Sequence, residues 1–356
     1  MLVISYIKSK ILLCLNKEQT TNIDPNKVKN ILVLKYDKIG DMVIATPIFR
    51  ELKDNLPWVK LTVLASNVNK PIIENNPYID EIFVYNNKWN KLFPTLLKLR
   101  KRKFDVCFEF EAGVVSRSIL ITKIVKPKYV ASVFKQHGRY GLSKDKIKPY
   151  DFYTNYDIGN HRSLNLIDVL NFLNIKAINT SYDLYLSDDS KRRIDNFLKS
   201  YDSQSFKIGL NLEGVTYGGR IDAEKIRAIV EGINQDFEVK FFILAPPWEK
   251  DSTETLINEI GVKNLHSTFF DIKDLQAFIS NLHLVISVDT SVVHIASAFK
   301  IPTVAIYAND KKNFSQWSPN NRNSRVVFSR SETSSVDFDA IEVVIKAKEI
   351  ITDLIH

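Results

Sequence analysis

Residues 287–298 read SVDTSVVHIASA and follow directly on the apolar run LHLVI at 282–286. A strand that ends in Asp-Thr-Ser and turns at once into a helix carrying a histidine has two readings. Asp289, Thr290 and Ser291 are all good N-cap residues, so the elbow can be an ordinary helix start. The same elbow also presents the N–H groups of a first helical turn, and the positive end of the helix dipole, to any phosphate that arrives there. The residues around it have to decide.

Outward from that elbow the chain repeats one pattern. NILVLKY (30–36) is a short apolar run suited to a buried parallel strand, and DMVIATPIFRELKDNLP (41–57) is helical in character up to Pro57. VKLTVLAS, EIFVY and FDVCFEFE follow as strands, with helix-like NKPIIENNP and VVSRSILITKIV among them. HRSLNLIDVLNFLNI (161–175) closes this first series, and the polar KAINTSYDLYLSDDS reads as a boundary. The alternation then restarts with helix DSKRRIDNFLKSY, strand KIGLNLEG, helix DAEKIRAIVEGIN and strand VKFFILAP. A helix after Pro247, strand NLHST, helix DIKDLQAFISN, the opening elbow, strand TVAIYA and a final helix AIEVVIKAKEIITDLI complete it. Strand–helix alternation of this kind predicts doubly wound parallel sheets. The expected fold is α/β, with two Rossmann-like domains in tandem facing a central cleft. Its expected parts are an extension over 1–28, a first domain over 29–177, a second over 178–335 and a C-terminal helix over 336–356.

Composition bounds the class. At 356 residues with 45% apolar and 25% charged residues the chain is an ordinary globular protein with room for two cores. Cys14 and Cys107 share no metal or redox spacing, which points to a reducing, cytoplasmic setting. The net charge of +8 is uneven: residues 1–180 hold 29 Lys and Arg against 16 Asp and Glu, and residues 181–356 hold 20 against 25. The first half is therefore expected to meet an anionic partner, with Lys123, Lys126, Lys128, Lys135 and Arg139 in the densest basic stretch. Nucleic acid, acidic phospholipid and a phosphorylated glycan all fit that charge, as does a solvated loop with no ligand. In MLVISYIKSKILLCLN (1–16), Val3, Ile4, Ile7, Ile11, Cys14 and Leu15 share one helical face. Such a helix either lies on a membrane surface or docks on the protein's own core.

The remaining elbows narrow the chemistry. KYDKIGDMVIATP (35–47) has Gly40 for a tight turn and Asp41 in the first helical turn, where a carboxylate is stabilised by the dipole whether or not it reacts. NLEGVTYGGRIDAEK (211–225) offers Thr216 and Arg220 beside three glycines, and LAPPWEKD (244–251) puts Glu249 at a helix start, within reach of ribose hydroxyls or simply as a first-turn acid. There is no G-x-G-x-x-G, P-loop, H-E-x-x-H or cysteine cluster, so dinucleotide, P-loop and metal chemistry are not expected.

Taken together, KIGDMVIATP near the start and SVDTSVVHIASAFKIP near the end resemble glycosyltransferase family 9, the lipopolysaccharide heptosyltransferases that use ADP-heptose. The likeness runs from about residue 29 to the C-terminus, and the helix beginning at His161 and the Trp317-Ser318-Pro319 segment share it. It implies a GT-B fold, with acceptor on the first domain and donor on the second, and inversion without a metal or cofactor, the nucleotide sugar being a substrate. It also implies that Asp41 is the general base, that Asp289, Thr290, Ser291 and His294 hold the donor diphosphate, and that Glu249 faces the nucleoside ribose. On that reading Thr216 and Arg220 assist the donor, and the basic residues of 123–148 meet an anionic glycan or glycolipid at the inner face of the inner membrane. Nucleic acid is not an expected partner. Three positions depart from the family pattern: Ser291 replaces a glycine, GGRIDAEK lacks a Trp-Pro pair, and Ala308-Asn309 replaces Gly-Pro. An inactive nucleotide- or glycan-binding module of the same fold is the alternative.

Overall fold

Strand β1 (Asn30–Lys35) pairs in parallel with β2 (Lys60–Ser66) on one side and β4 (Val106–Glu109) on the other. With β3 (Glu81–Tyr85), β5 (Tyr129–Ser132) and β6 (Phe152–Tyr153) the order is β3-β2-β1-β4-β5-β6, parallel throughout. Crossovers leave β1 toward β2 and β3 in the first half and lie beyond β4 in the second, so the carboxyl ends of β1 and β4 diverge at a topological switch point. The helices are α1 (Leu2–Cys14), α2 (Ile39–Asn55), α3 (Lys70–Ile73), α4 (Trp89–Arg100), α5 (Ser116–Val125) and α6 (Arg162–Ile167). The computed structural model describes residues 2–154, 159–177, 179–201, 205–214 and 219–355, and these divide into two compact units, Met1–Asp183 and Leu184–His356.

The second unit repeats the arrangement. Its strands are β7 (Phe206–Asn211), β8 (Glu213–Gly214), β9 (Gly219–Arg220), β10 (Val239–Ala245), β11 (Leu265–Phe269), β12 (Leu284–Val288), β13 (Thr303–Tyr307) and β14 (Arg325–Phe328). The parallel sheet runs β11-β10-β7-β12-β13-β14, with β8 and β9 as a separate antiparallel pair. Helices α7 (Asp188–Leu198), α8 (Ala223–Asn234), α9 (Lys250–Ile260), α10 (Ile272–Ile279), α11 (Ser291–Ala298), α12 (Lys311–Trp317) and α13 (Ala340–Ile355) flank it. The core strands are buried along almost their whole length, as expected of strands covered on both faces by helices.

Some elements lie outside the sequence reading. Helix α4 contains Pro94, β5 has only four residues, β6 only two, and β14 starts on Arg325, so none produced a clear apolar run. The 161–175 segment is helical in α6 but tightens to 3-10 geometry over Asp168–Leu173. Helix α1 docks on the first unit: Leu12 is buried in a cluster with Ile147 and Tyr150, and Lys17 pairs with Asp151 at 2.8 Å. Its Ile7 and Ile11 remain about half exposed.

Helix α2 carries a proline in its interior. Pro47 supplies no N–H for the Val43 carbonyl four residues back. The Thr46 hydroxyl donates to that carbonyl at 2.7 Å and accepts from the Asp183 N–H at 2.9 Å. Arg50, one turn on, donates to the Asn179 and Ser181 carbonyls and to the Asp183 carboxylate. The helix that begins at the candidate base therefore also grips the segment ending the first unit. Thr46→Val removes both bonds from a fully buried site and is expected to cost roughly 1–3 kcal/mol. A urea-denaturation midpoint unchanged from wild type would show that the hydroxyl does not bridge the helix and that segment.

Candidate functional site

At the switch point of the first unit, β1 ends in Lys35 and the chain turns through Tyr36, Asp37 and Lys38 into α2. Asn69, buried at the start of α3, pins this turn by donating to the Lys35 and Asp37 carbonyls, both at 3.2 Å, while accepting from the Ser66 N–H. Asp41 sits in the first turn of α2, where the dipole favours its carboxylate. The Lys35 ammonium is 2% exposed and lies 2.5 Å from Asp37 Oδ2 and 3.3 Å from Asp41 Oδ1. Burial alone would lower the pKa of Lys35, but Asp37 and then Asp41 more than reverse this and raise it.

Beyond β4 and β5 a second buried pair adjoins the first. Glu109 is bonded by the Lys135 ammonium and by the Ser132 hydroxyl, and Lys135 also donates to the Glu111 carbonyl. Lys135 is therefore no part of an exposed basic face. Its ammonium is 4% exposed and neutralises a carboxylate that is itself 1% exposed. Arg162, also buried, donates to the Phe110 carbonyl from the start of α6. Glu111 is pushed up to about 7 by burial, with the charges of Asp37 and Glu109 adding and Lys35 and Lys135 opposing.

The other basic candidates divide by sheet edge. Lys123 is in the last turn of α5, Lys126 caps it, and Lys128 immediately precedes β5, so all three belong to the amino-terminal edge of a parallel sheet. Asp41 is at the carboxyl edge, about 15–20 Å away along the strands. These lysines cannot touch a sugar that Asp41 touches. Arg139 is on the correct edge, donating to the Val114 carbonyl in the turn after β4. The charge pattern did not single out Arg117, which is also there. It lies in the first turn of α5, bonded to the Tyr85 hydroxyl and to Asn87 Oδ1, with its guanidinium 5.5 Å from the exposed Trp89 ring and Tyr36 stacked on Tyr85.

In the second unit the switch point lies between β7 and β12, and both strands end in polar residues. Thr290 caps α11 by accepting from the Val292 N–H. Asn211, at the end of β7, donates to Thr290 Oγ1 at 2.9 Å and to Ser287 Oγ at 3.0 Å, fixing the cap across the switch point. Asp289 Oδ2 accepts from Asn313 of α12 at 3.0 Å. Ser291 opens the helix, and His294 is buried against Trp317 with ring centroids 6.2 Å apart. Asp289, Thr290, Ser291 and His294 thus form one elbow, tied by Asn211 and Asn313, which sequence reasoning did not find because a lone asparagine beside a turn carries no distinctive signal.

Arg220 and Glu249 form a second group at the β10 end of the same edge, about 10 Å from β12 at ordinary strand spacing. Arg220 donates to Thr253 at 3.3 Å. Glu249 is raised by burial, and further by the neighbouring Glu213 carboxyl, with Arg220 opposing. Thr216 lies outside the described residues. Among the described residues no group of three or more His, Cys, Asp or Glu is arranged to hold a metal ion.

This arrangement has known relatives. Residues 222–345 match the sequence profile of glycosyltransferase family 9 (heptosyltransferase). The chain is 27% identical over 328 residues to putative lipopolysaccharide heptosyltransferase 4 of Escherichia coli K12, covering 89% of this chain and 86% of that one. In fold it superposes on the family 9 glycosyltransferase of Veillonella parvula with a TM-score of 0.77 at 17% identity, covering 94% of this chain and 100% of that one. It superposes on the E. coli ADP-heptose lps heptosyltransferase II with a TM-score of 0.73 at 15% identity, covering 92% and 100%. The fold is of the GT-B type, and the chain is a family 9-like glycosyltransferase.

The site also carries a pH signature. An acid whose folded pKa lies above its unfolded value contributes stability that is complete below the unfolded value, near 4.3, and is lost as pH rises through the folded one. For Glu111 that loss falls between about pH 5 and 8 and is on the order of 2 kcal/mol. Glu111→Gln removes this loss, so urea denaturation at pH 5 and pH 8 should find the variant gaining on wild type at the higher pH. Parallel curves would mean that Glu111 titrates like a solvated side chain.

Proposed function

We propose that this glycosyltransferase transfers a heptose from ADP-heptose to a lipopolysaccharide-type acceptor, by single displacement with inversion and without a metal. The observation that carries this reading is the pairing of two switch-point elbows, a first-turn aspartate on one unit and a capped, histidine-bearing helix start on the other. The heptosyltransferases similar to this chain in sequence and fold support the choice of sugar and acceptor.

In this mechanism Asp41 takes the proton of an acceptor hydroxyl while the hydroxyl oxygen bonds to the anomeric carbon. The bond from that carbon to the diphosphate oxygen breaks, and its electron pair leaves with the nucleoside diphosphate. Charge then grows at the phosphate, and the amino end of α11, the Thr290 and Ser291 hydroxyls and His294 serve to stabilise it. Glu249 and Arg220 serve the nucleoside end of the donor. Arg117, beside the Trp89 and Tyr85 rings, and Arg139, on the same sheet edge, hold anionic groups of the acceptor.

With purified ADP-heptose and deacylated, heptose-deficient lipopolysaccharide, Asp41→Asn should lower transfer by about 10²–10⁴-fold with ADP affinity retained. Arg117→Ala should raise acceptor KM at least about fivefold with little change in kcat, whereas a Lys126→Ala, Lys128→Ala variant should match wild type. Full activity of Asp41→Asn would remove the base assignment. Wild-type ADP binding with no product from any such acceptor would favour a binding module, the reading that Ser291 in place of the family glycine supports.

The exposed Ile7 and Ile11 of α1, with exposed Lys8 and Lys10 beside them, give the first unit a surface suited to the acidic inner face of the inner membrane. No helix among the described residues is long and apolar enough to cross a membrane. Vesicles rich in phosphatidylglycerol should sediment the wild type at low salt and release an Ile7→Glu, Ile11→Glu variant. Equal sedimentation of the two would remove α1 from the contact.

A further inference from the structure

Asp37 has no role in the mechanism above, yet it takes the shorter of the two bonds to Lys35, 2.5 Å against 3.3 Å for Asp41. Two carboxylates share one buried ammonium. Asp37 Oδ1 is also buried and accepts no hydrogen bond from any described residue. A site meant only to neutralise Lys35 needs a single carboxylate.

We propose that Asp37 is a positioning residue that holds the Lys35 ammonium away from Asp41 and so keeps Asp41 basic. The functional meaning of this rests on Asp41 being the base. With both carboxylates ionised the triad has one net negative charge. When Asp41 takes a proton, Lys35 and Asp37 remain as a neutral pair. If Asp37 were absent, protonating Asp41 would remove the last carboxylate charge paired with the buried ammonium, which is strongly unfavourable. Lys35 would then bond Asp41 alone and depress its proton affinity.

The surrounding charges do not remove the need for Asp37. Glu111 faces Asp37 and Lys35 from beyond β4 and adds negative charge, while Glu109 beside it is neutralised by Lys135 from beyond β5. Arg162 faces Lys35 from α6 and disfavours its charge. Burial raises the pKa of Asp37, Asp41 adds to the rise and Lys35 opposes it. The two aspartates therefore compete for one ammonium, and the charge on each bears on the other.

The test is a carbon-13 NMR titration of the full-length protein labelled at aspartate Cγ, with the Asp41 signal assigned from Asp41→Asn. Aspartate labelling keeps Glu111 and Glu109 out of the spectrum. Asp37→Asn should lower the Asp41 midpoint by about one pH unit, a tenfold loss of proton affinity, and Asp37→Glu should restore it. Lys35→Gln should raise the midpoint, and Asp37→Asn should shift it less in that background than alone. An Asp41 midpoint unmoved or raised by Asp37→Asn overturns the proposal, and so does an equal shift with and without Lys35. If Lys35→Gln does not fold, the comparison of Asp37→Asn with Asp37→Glu still decides the matter. The acidic limb of kcat/KM for the same variants separates the two claims: a moved midpoint with an unmoved limb leaves the pairing intact and removes Asp41 as the base.

Discussion

The chemistry of this protein depends on one feature of parallel sheets wound in both directions. Where crossovers diverge, neighbouring strands end side by side with no helix packed across the gap between them. Polar groups placed there must find partners among side chains. In the first unit that gap holds Lys35, Asp37 and Asp41, and in the second it holds Asn211, Ser287 and Thr290. The sheet order is the same in both units, so the two gaps are equivalent in topology but differ in charge. One is built around a buried cation flanked by carboxylates, the other around a helix start held by neutral amides and hydroxyls.

That difference suits the two halves of a sugar transfer. A base must change its charge during the reaction, and a carboxylate next to a shared ammonium can do so with its neighbours remaining neutralised. A leaving diphosphate needs donors that are already oriented and cost no rearrangement. Asn211 and Asn313 orient the elbow in just this passive way, each through a bond of about 3 Å. Helix α2 joins Asp41 to the end of the first unit through Thr46 and Arg50, so the candidate site and the exit from that unit share one element.

Much of this was legible in the sequence, for physical reasons. Apolar runs such as LVISV and ILVL, each followed by a polar turn and a helical pattern, identified β12 with α11 and β1 with α2. Asp41 and Asp289 stood out because acids and caps at helix starts are the strongest local signals. Short or charged elements did not stand out: β5 lies between lysines and is four residues long, and α4 carries Pro94. Charge runs misled most, because sequence proximity says nothing about sheet edge. Lys123, Lys126, Lys128, Lys135 and Arg139 look alike in sequence, yet three lie at the far edge, one is buried and one lies at the Asp41 edge. Arg117, Asn69 and Asn211 acquire meaning only from the strand ends that bring them to the gap. For α1 the docking reading holds, since Leu12 packs into the core, while Ile7 and Ile11 stay exposed.

The central claim is that the α11 elbow receives a nucleoside diphosphate, and a thermal-shift series with ADP, UDP, GDP, CDP and dTDP tests it most directly. At about 100 times its dissociation constant a ligand adds about 2.7 kcal/mol to stability, enough to move the melting curve of the unit that binds it. The account predicts a shift with ADP that is lost in Asp289→Ala and reduced in Asn211→Ala. No shift with any of the five, or an ADP shift that survives both substitutions, would contradict it.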